Sequence, residues 1–120
     1  MKLVFRFIIL SGLVALLWLS VSAQEGEKEN PGKKIFKDNK CQSCHSIEAV
    51  GIKRKPNQKP PDLSQVGSEK KADFIAAYLK KKESLNGVKH AISFKGSDEE
   101  LETLVTWLES LKGEDKKPKN

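Results

Sequence analysis

Apolar positions in this 120-residue chain form one continuous block near the start and three helical stripes after it. The block, Phe7 to Val21, carries no charge and only small or weakly polar interruptions. The first stripe opens at Asn30-Pro31, where Asn suits a helix cap and Pro the first helical position. With Ile35 and Phe36 apolar, it predicts a helix to about Asn39. The second stripe puts Phe74, Ile75, Tyr78 and Leu79 on one face and predicts a helix from about Glu69 to Lys82. The third has the clearest start: Ser97 followed by Glu100 is a capping box, and Asp98 and Glu99 complement the helix dipole. Leu101, Leu104, Val105, Leu108 and Leu111 then line one face, and Gly113 is placed to end the helix. Residues 46–67, with Gly51, Pro56, Pro60, Pro61 and Gly67, and residues 84–96, with Gly87 and Gly96, predict loops. No run alternates with the period of a strand, so the expected fold is all-α. Three helices and two long loops make a poor core by themselves.

Composition and charge sharpen this picture. A chain that is 32% charged and 38% hydrophobic has the balance of an ordinary soluble domain, and its length allows one such domain. Lys2 and Arg6 before the apolar block, and Val21-Ser22-Ala23 after it, have the layout of a secretory signal peptide cut after Ala23. The block is short of the roughly 20 residues of a membrane span, and no cysteine near Ala23 invites a lipid anchor. The expected division is therefore a signal peptide at 1–23, a flexible segment at 24–30, a folded domain at 31–112 and a charged, disordered tail at 113–120. The expected location is exported, periplasmic and soluble. Removing Lys2 and Arg6 takes the net charge from +6 to +4. That mild basicity admits an acidic protein partner. No aromatic residues interleave with a basic stripe, so no nucleic-acid partner is expected.

The chemistry is concentrated in Cys41-Gln42-Ser43-Cys44-His45. A Cys-x-x-Cys-His run is the pattern of covalent haem attachment. Two thiols separated by two residues can add to the two vinyl groups of one porphyrin, and the adjacent imidazole can then reach the iron. One haem c, held by two thioethers, is the expected cofactor. A thioredoxin-like redox pair would need strands. A zinc site needs four ligands, and besides these three only His90 remains. A plain disulfide has no use for His45. A flat apolar group at the centre also relieves the poor core of a three-helix chain.

With those residues in view, the chain resembles the class I, mitochondrial-type fold of bacterial monohaem cytochromes c over about residues 31–112. Gly32 and Phe36 resemble the family's Gly/aromatic pair on the first helix. The resemblance implies that they cross the last helix at Leu104 and Trp107, with Gly32 allowing close approach of the backbones. Pro60-Pro61-Asp62-Leu63 resembles the family's Gly-Pro-x-Leu stretch, with Pro60 where the family often has Gly. It implies that the Pro61 carbonyl accepts the N–H of the proximal His45 and that Leu63 packs on the haem. The implied function is one-electron transfer between redox partner proteins, acidic or membrane-bound. The chain would be a monomeric carrier with no small-molecule substrate, and not an enzyme.

The sequence departs from the family at the sixth iron ligand. The family's methionine lies in the loop before the last helix, and the sole methionine here is Met1. His90 stands in that loop, a few residues before Phe94. Bis-histidine iron, ligation by Lys89 or Lys95, and an open position are the alternatives, with His90 favoured. An open site would suit a gas sensor, and a further alternative is the electron-accepting subunit of a larger dehydrogenase. The basic run Lys80-Lys81-Lys82 is expected to be solvated surface. Lys53-Arg54-Lys55 is expected either to be surface or to reach a haem propionate.

Overall fold

The computed structural model describes residues 28–113, so the expected signal peptide and nearly all of the charged tail lie outside the described residues. The fold is all-α. Helix α1 spans Pro31–Asp38, α2 Val66–Glu69, α3 Ala72–Leu79 and α4 Asp98–Ser110. Short 3₁₀ turns occupy Cys41–Ser43 and Glu48–Val50. Among the described residues, the β contacts are isolated bridges at Ile47/Ile52 and Leu85/Val88. No described helix is long and apolar enough to cross a membrane.

The helix starts follow from side-chain capping. Asn30 Oδ1 accepts the Gly32 N–H at 2.9 Å, with Pro31 at the first helical position. Both bonds of the capping box are present on α4: Glu100 N–H to Ser97 Oγ at 3.1 Å and Ser97 N–H to Glu100 Oε2 at 2.8 Å. The predicted second helix, in contrast, is divided. Lys70 is extended (φ −131°, ψ 140°), which ends α2 before α3 begins. The cause is tertiary. Gly67 N–H donates to Leu111 O at 2.8 Å, and a Cβ on Gly67 would lie 1.9 Å from Glu109 O. The short helix is thus docked by its backbone against the end of α4, and the chain must turn before continuing. α3 also stops earlier than predicted, at Leu79. Lys82 N–H bonds Ala77 O at 2.8 Å and Lys81 N–H bonds Tyr78 O at 3.0 Å, a Schellman end.

α4 is the central element, and α1, α2 and α3 all pack on it. Its inward face, Leu101, Leu104, Val105 and Leu108, with Leu111 just past its end, joins Phe36, Ile47, Ile75 and Trp107 in one buried cluster. Phe36 meets Trp107 edge to face, with ring centres 5.9 Å apart. Gly32 lies where a Cβ would fall 2.2 Å from Trp107 Cβ, so the α1/α4 crossing is closer than any side chain on Gly32 permits. Leu63, Cys41 and Phe94 are half-buried against the same cluster. This frame brings the loops at 41–63 and 85–92 together on one side.

Candidate functional site

The site begins two residues beyond α1's end. Lys40 takes a left-handed conformation (φ 58°), turning the chain into the 3₁₀ turn that carries Cys41. The backbone N–H of Cys44 and that of His45 both bond Cys41 O, at 3.1 and 2.9 Å, so the motif winds tightly. The two cysteines form no disulfide with each other: Cys41 is half-buried and Cys44 exposed. Burial pushes the Cys41 thiol above its ordinary pKa, and the nearby Cys44 adds to this, against a backbone hydrogen bond.

His45 lies against the Pro61 loop, with Nδ1 3.4 Å from Pro61 O. Burial holds its imidazole below the usual histidine range. The Pro61 carbonyl opposes this and the neighbouring His90 reinforces it.

A short ladder fixes the Pro61 loop beside the motif. Leu63 N–H donates to Ser46 O at 2.9 Å, Glu48 N–H to Asp62 Oδ2 at 3.0 Å and Ala49 N–H to Ser64 Oγ at 3.0 Å. Asp62 Oδ1 also accepts Ser64 N–H at 2.9 Å. The fully buried Ser46 hydroxyl makes no hydrogen bond of good geometry, yet it lies near enough to Asp62 to favour the charged carboxylate. Arg54 closes the intervening loop, donating from Nη1 to Gln58 O at 3.1 Å and from Nη2 to Pro60 O at 3.1 Å. Its guanidinium is therefore committed to the carbonyl next to Pro61.

Partial burial raises the Asp62 carboxyl, but the donors from Ser64 and Glu48, with the nearby Ser46 hydroxyl, outweigh it and hold the group at about 2, against an ordinary 3.8. A depressed carboxyl stabilises the fold above its unfolded pKa, and that contribution disappears as pH falls through the folded value. The window is thus from about pH 4 down to about pH 2. Asp62→Asn should lower the urea midpoint at pH 6, and the gap from wild type should close as pH drops through this window. A gap independent of pH would show that Asp62 acts by shape alone.

The opposite wall is the loop carrying His90. Leu85 and Val88 exchange backbone hydrogen bonds of 2.9 and 3.0 Å around Asn86 and Gly87, both with positive φ (52° and 78°). This is a tight two-residue turn. Past it, His90 is half-buried with Nδ1 2.5 Å from Ile92 O. The Tyr78 ring on α3 meets it edge-on, centres 5.3 Å apart and planes at 75°. Val88 and Ile92, on either side, are 65% and 64% exposed. Phe94 N–H donates to Leu79 O at 2.9 Å and ties the loop's far end to α3.

The two histidines, 45 residues apart in sequence, come together. Their ring centres are 6.1 Å apart and their planes are within 12° of parallel. Pro61 lies beside His45 through its carbonyl, and Leu63 is half-buried against the core. Asp62, Ser64 and Tyr78 are site residues that the sequence pattern does not single out as such. Asp62-Leu63-Ser64 did carry a signal for one of them, because Asp two residues before a backbone donor is an Asx turn.

An all-α frame, a Cys-x-x-Cys-His turn and two converging imidazoles together define a covalent haem protein. The chain belongs to the cytochrome c family: the family's model, described as Cytochrome c, matches residues 30–112. Membership brings covalently bound haem c, electron transport and redox proteins as partners. The chain is also similar to cytochrome c oxidase subunit 2 of Bacillus subtilis (strain 168), 29% identical over 105 residues. That match covers 79% of this chain and 30% of the relative, so the chain spans less than a third of that protein's length. No solved structure matches the chain with significance.

Proposed function

We propose that this chain is an exported carrier of single electrons, with its haem joined to Cys41 and Cys44 and its iron ligated by His45 and His90. The separation of the two imidazoles carries the proposal. A metal–imidazole bond is about 2.0 Å and a ring centre lies roughly 1.1 Å beyond the bound nitrogen, so imidazoles on opposite sides of one iron have centres roughly 6.2 Å apart. The rings here are 6.1 Å apart. Each Nδ1 faces a backbone carbonyl, Pro61 O for His45 and Ile92 O for His90, which leaves both Nε2 lone pairs for a metal. Burial favours neutral His45, the form that ligates. Exposed Val88 and Ile92 supply apolar surface for a flat apolar group to cover.

Bound haem supplies a one-electron iron couple. The protein's contribution is rigidity. Asp62 and Arg54 brace the loop on either side of Pro61, the Pro61 carbonyl orients His45, and Tyr78 orients His90. Each N–H···O=C bond makes its imidazole a stronger donor, which favours ferric iron and a low potential. Two ligating imidazoles leave no position for a substrate, which favours a carrier over an enzyme. Residues 1–23 are read as the export signal, 31–112 as the domain, and the periplasm as its place. The likeness to a cytochrome c oxidase subunit supports a second reading, in which the chain's electron acceptor is a cytochrome c oxidase.

Film voltammetry of the purified holoprotein tests the carrier role. One reversible one-electron wave is expected, with a midpoint independent of scan rate, because the same two imidazoles hold both oxidation states. A midpoint that divides as the scan rate rises would mean ligand exchange on reduction, and the sensor alternative would replace the carrier.

A further inference from the structure

The run Lys80-Lys81-Lys82 looks uniform in sequence, but its members are placed differently. Lys80 pairs with Asp98 at 2.5 Å, joining the end of α3 to the start of α4. Lys81 occupies the left-handed position of the Schellman end (φ 57°), where glycine is normally preferred. A side chain there is strained relative to glycine. Lys81 is also half-buried, whereas its neighbours on both sides are exposed. Its Nζ donates to Ala91 O at 2.9 Å, across the loop and one residue from His90.

We propose that Lys81 is a positioning residue that latches the His90 loop to α3 and keeps His90 on the iron. The inference rests on His90 ligation. The left-handed backbone aims the lysine stem back across the loop, and the ammonium clamps the carbonyl just after the ligand. Leu79 O holds the loop through Phe94 N–H, so Lys81 is a second and nearer tether. Its removal leaves His90 in place at rest and makes its departure faster.

Carbon monoxide is the probe. In ferrous wild type, the rate of carbon monoxide binding should level off at high gas concentration, at the rate of His90 departure. Lys81→Gly and Lys81→Met should both raise that plateau, on the order of threefold to tenfold for one exposed charge-assisted hydrogen bond. Lys82→Ala, one residue along, should leave it unchanged. Lys81→Gly separates the latch from a merely structural role, because it removes the left-handed strain. Its thermal midpoint should equal or exceed wild type while its plateau rises. A plateau for Lys81→Gly equal to wild type would overturn the latch and leave His90 ligation standing. A wild-type rate that climbs with gas concentration and never levels would mean that His90 is not a ligand, and both proposals would fall.

Discussion

His90→Ala should convert the ferric protein from low-spin to high-spin and let carbon monoxide bind the ferrous form at a rate set by gas concentration. The reason is geometric. Apart from His45, His90 is the only other histidine in the chain, and its ring lies 6.1 Å from His45 and nearly parallel to it. With the imidazole removed, no methionine is available, since Met1 is the only one. His90→Met is the companion variant. A thioether opposite histidine favours ferrous iron, so the potential should rise by an appreciable part of the roughly 0.8 V that axial ligands span. Electronic spectra and redox titrations of both variants check this. A His90→Ala spectrum that stays low-spin would move ligation to Lys89 or Lys95.

Gly32→Ala should be strongly destabilising, although alanine normally gains about 1 kcal/mol over glycine within a helix. The added Cβ would meet Trp107 Cβ at 2.2 Å, Trp107 Cγ at 2.7 Å and Thr103 O at 3.1 Å. Trp107 Cβ and Thr103 O are fixed by the backbone, so no change of rotamer relieves the 2.2 Å contact and the helices must separate. Separation opens the Phe36–Trp107 contact, which lies at the heart of the buried cluster. Overpacking of this kind costs roughly 1–3 kcal/mol or more. A net loss of about 2 kcal/mol would lower the thermal midpoint of a domain this size by roughly 8–16 °C. Circular dichroism melts of the holoprotein check it. Trp107→Phe should not rescue the variant, because Phe has the same Cβ and Cγ. Rescue would show that the indole ring, and not the closeness of the backbones, sets the crossing.

What the sequence made legible was local or strongly periodic. The Ser97/Glu100 box and the Leu101–Leu111 stripe predict α4 almost to the residue, and Asn30-Pro31 predicts the start of α1. Cys41 to His45 is legible because attachment needs that spacing. The placement of His90 was legible only through the missing methionine. The division between α2 and α3 was not, because nothing at Lys70 forbids helix; the docking of Gly67 on Glu109 and Leu111 imposes it. The end of α3 was hidden for a similar reason, since a lysine stands in the glycine position of the Schellman motif. Asn86-Gly87 is a strong two-residue turn signal. It sets the loop that carries His90. The Arg54 clasp on Pro60 O was beyond reach, because sequence does not reveal which carbonyl a loop guanidinium will meet.

Low-temperature electron paramagnetic resonance of the wild-type ferric protein tests ligation by His45 and His90 most directly. Ring planes within 12° of parallel predict a low-spin, rhombic signal with three resolved g values. A high-spin axial signal from the untreated protein would contradict it.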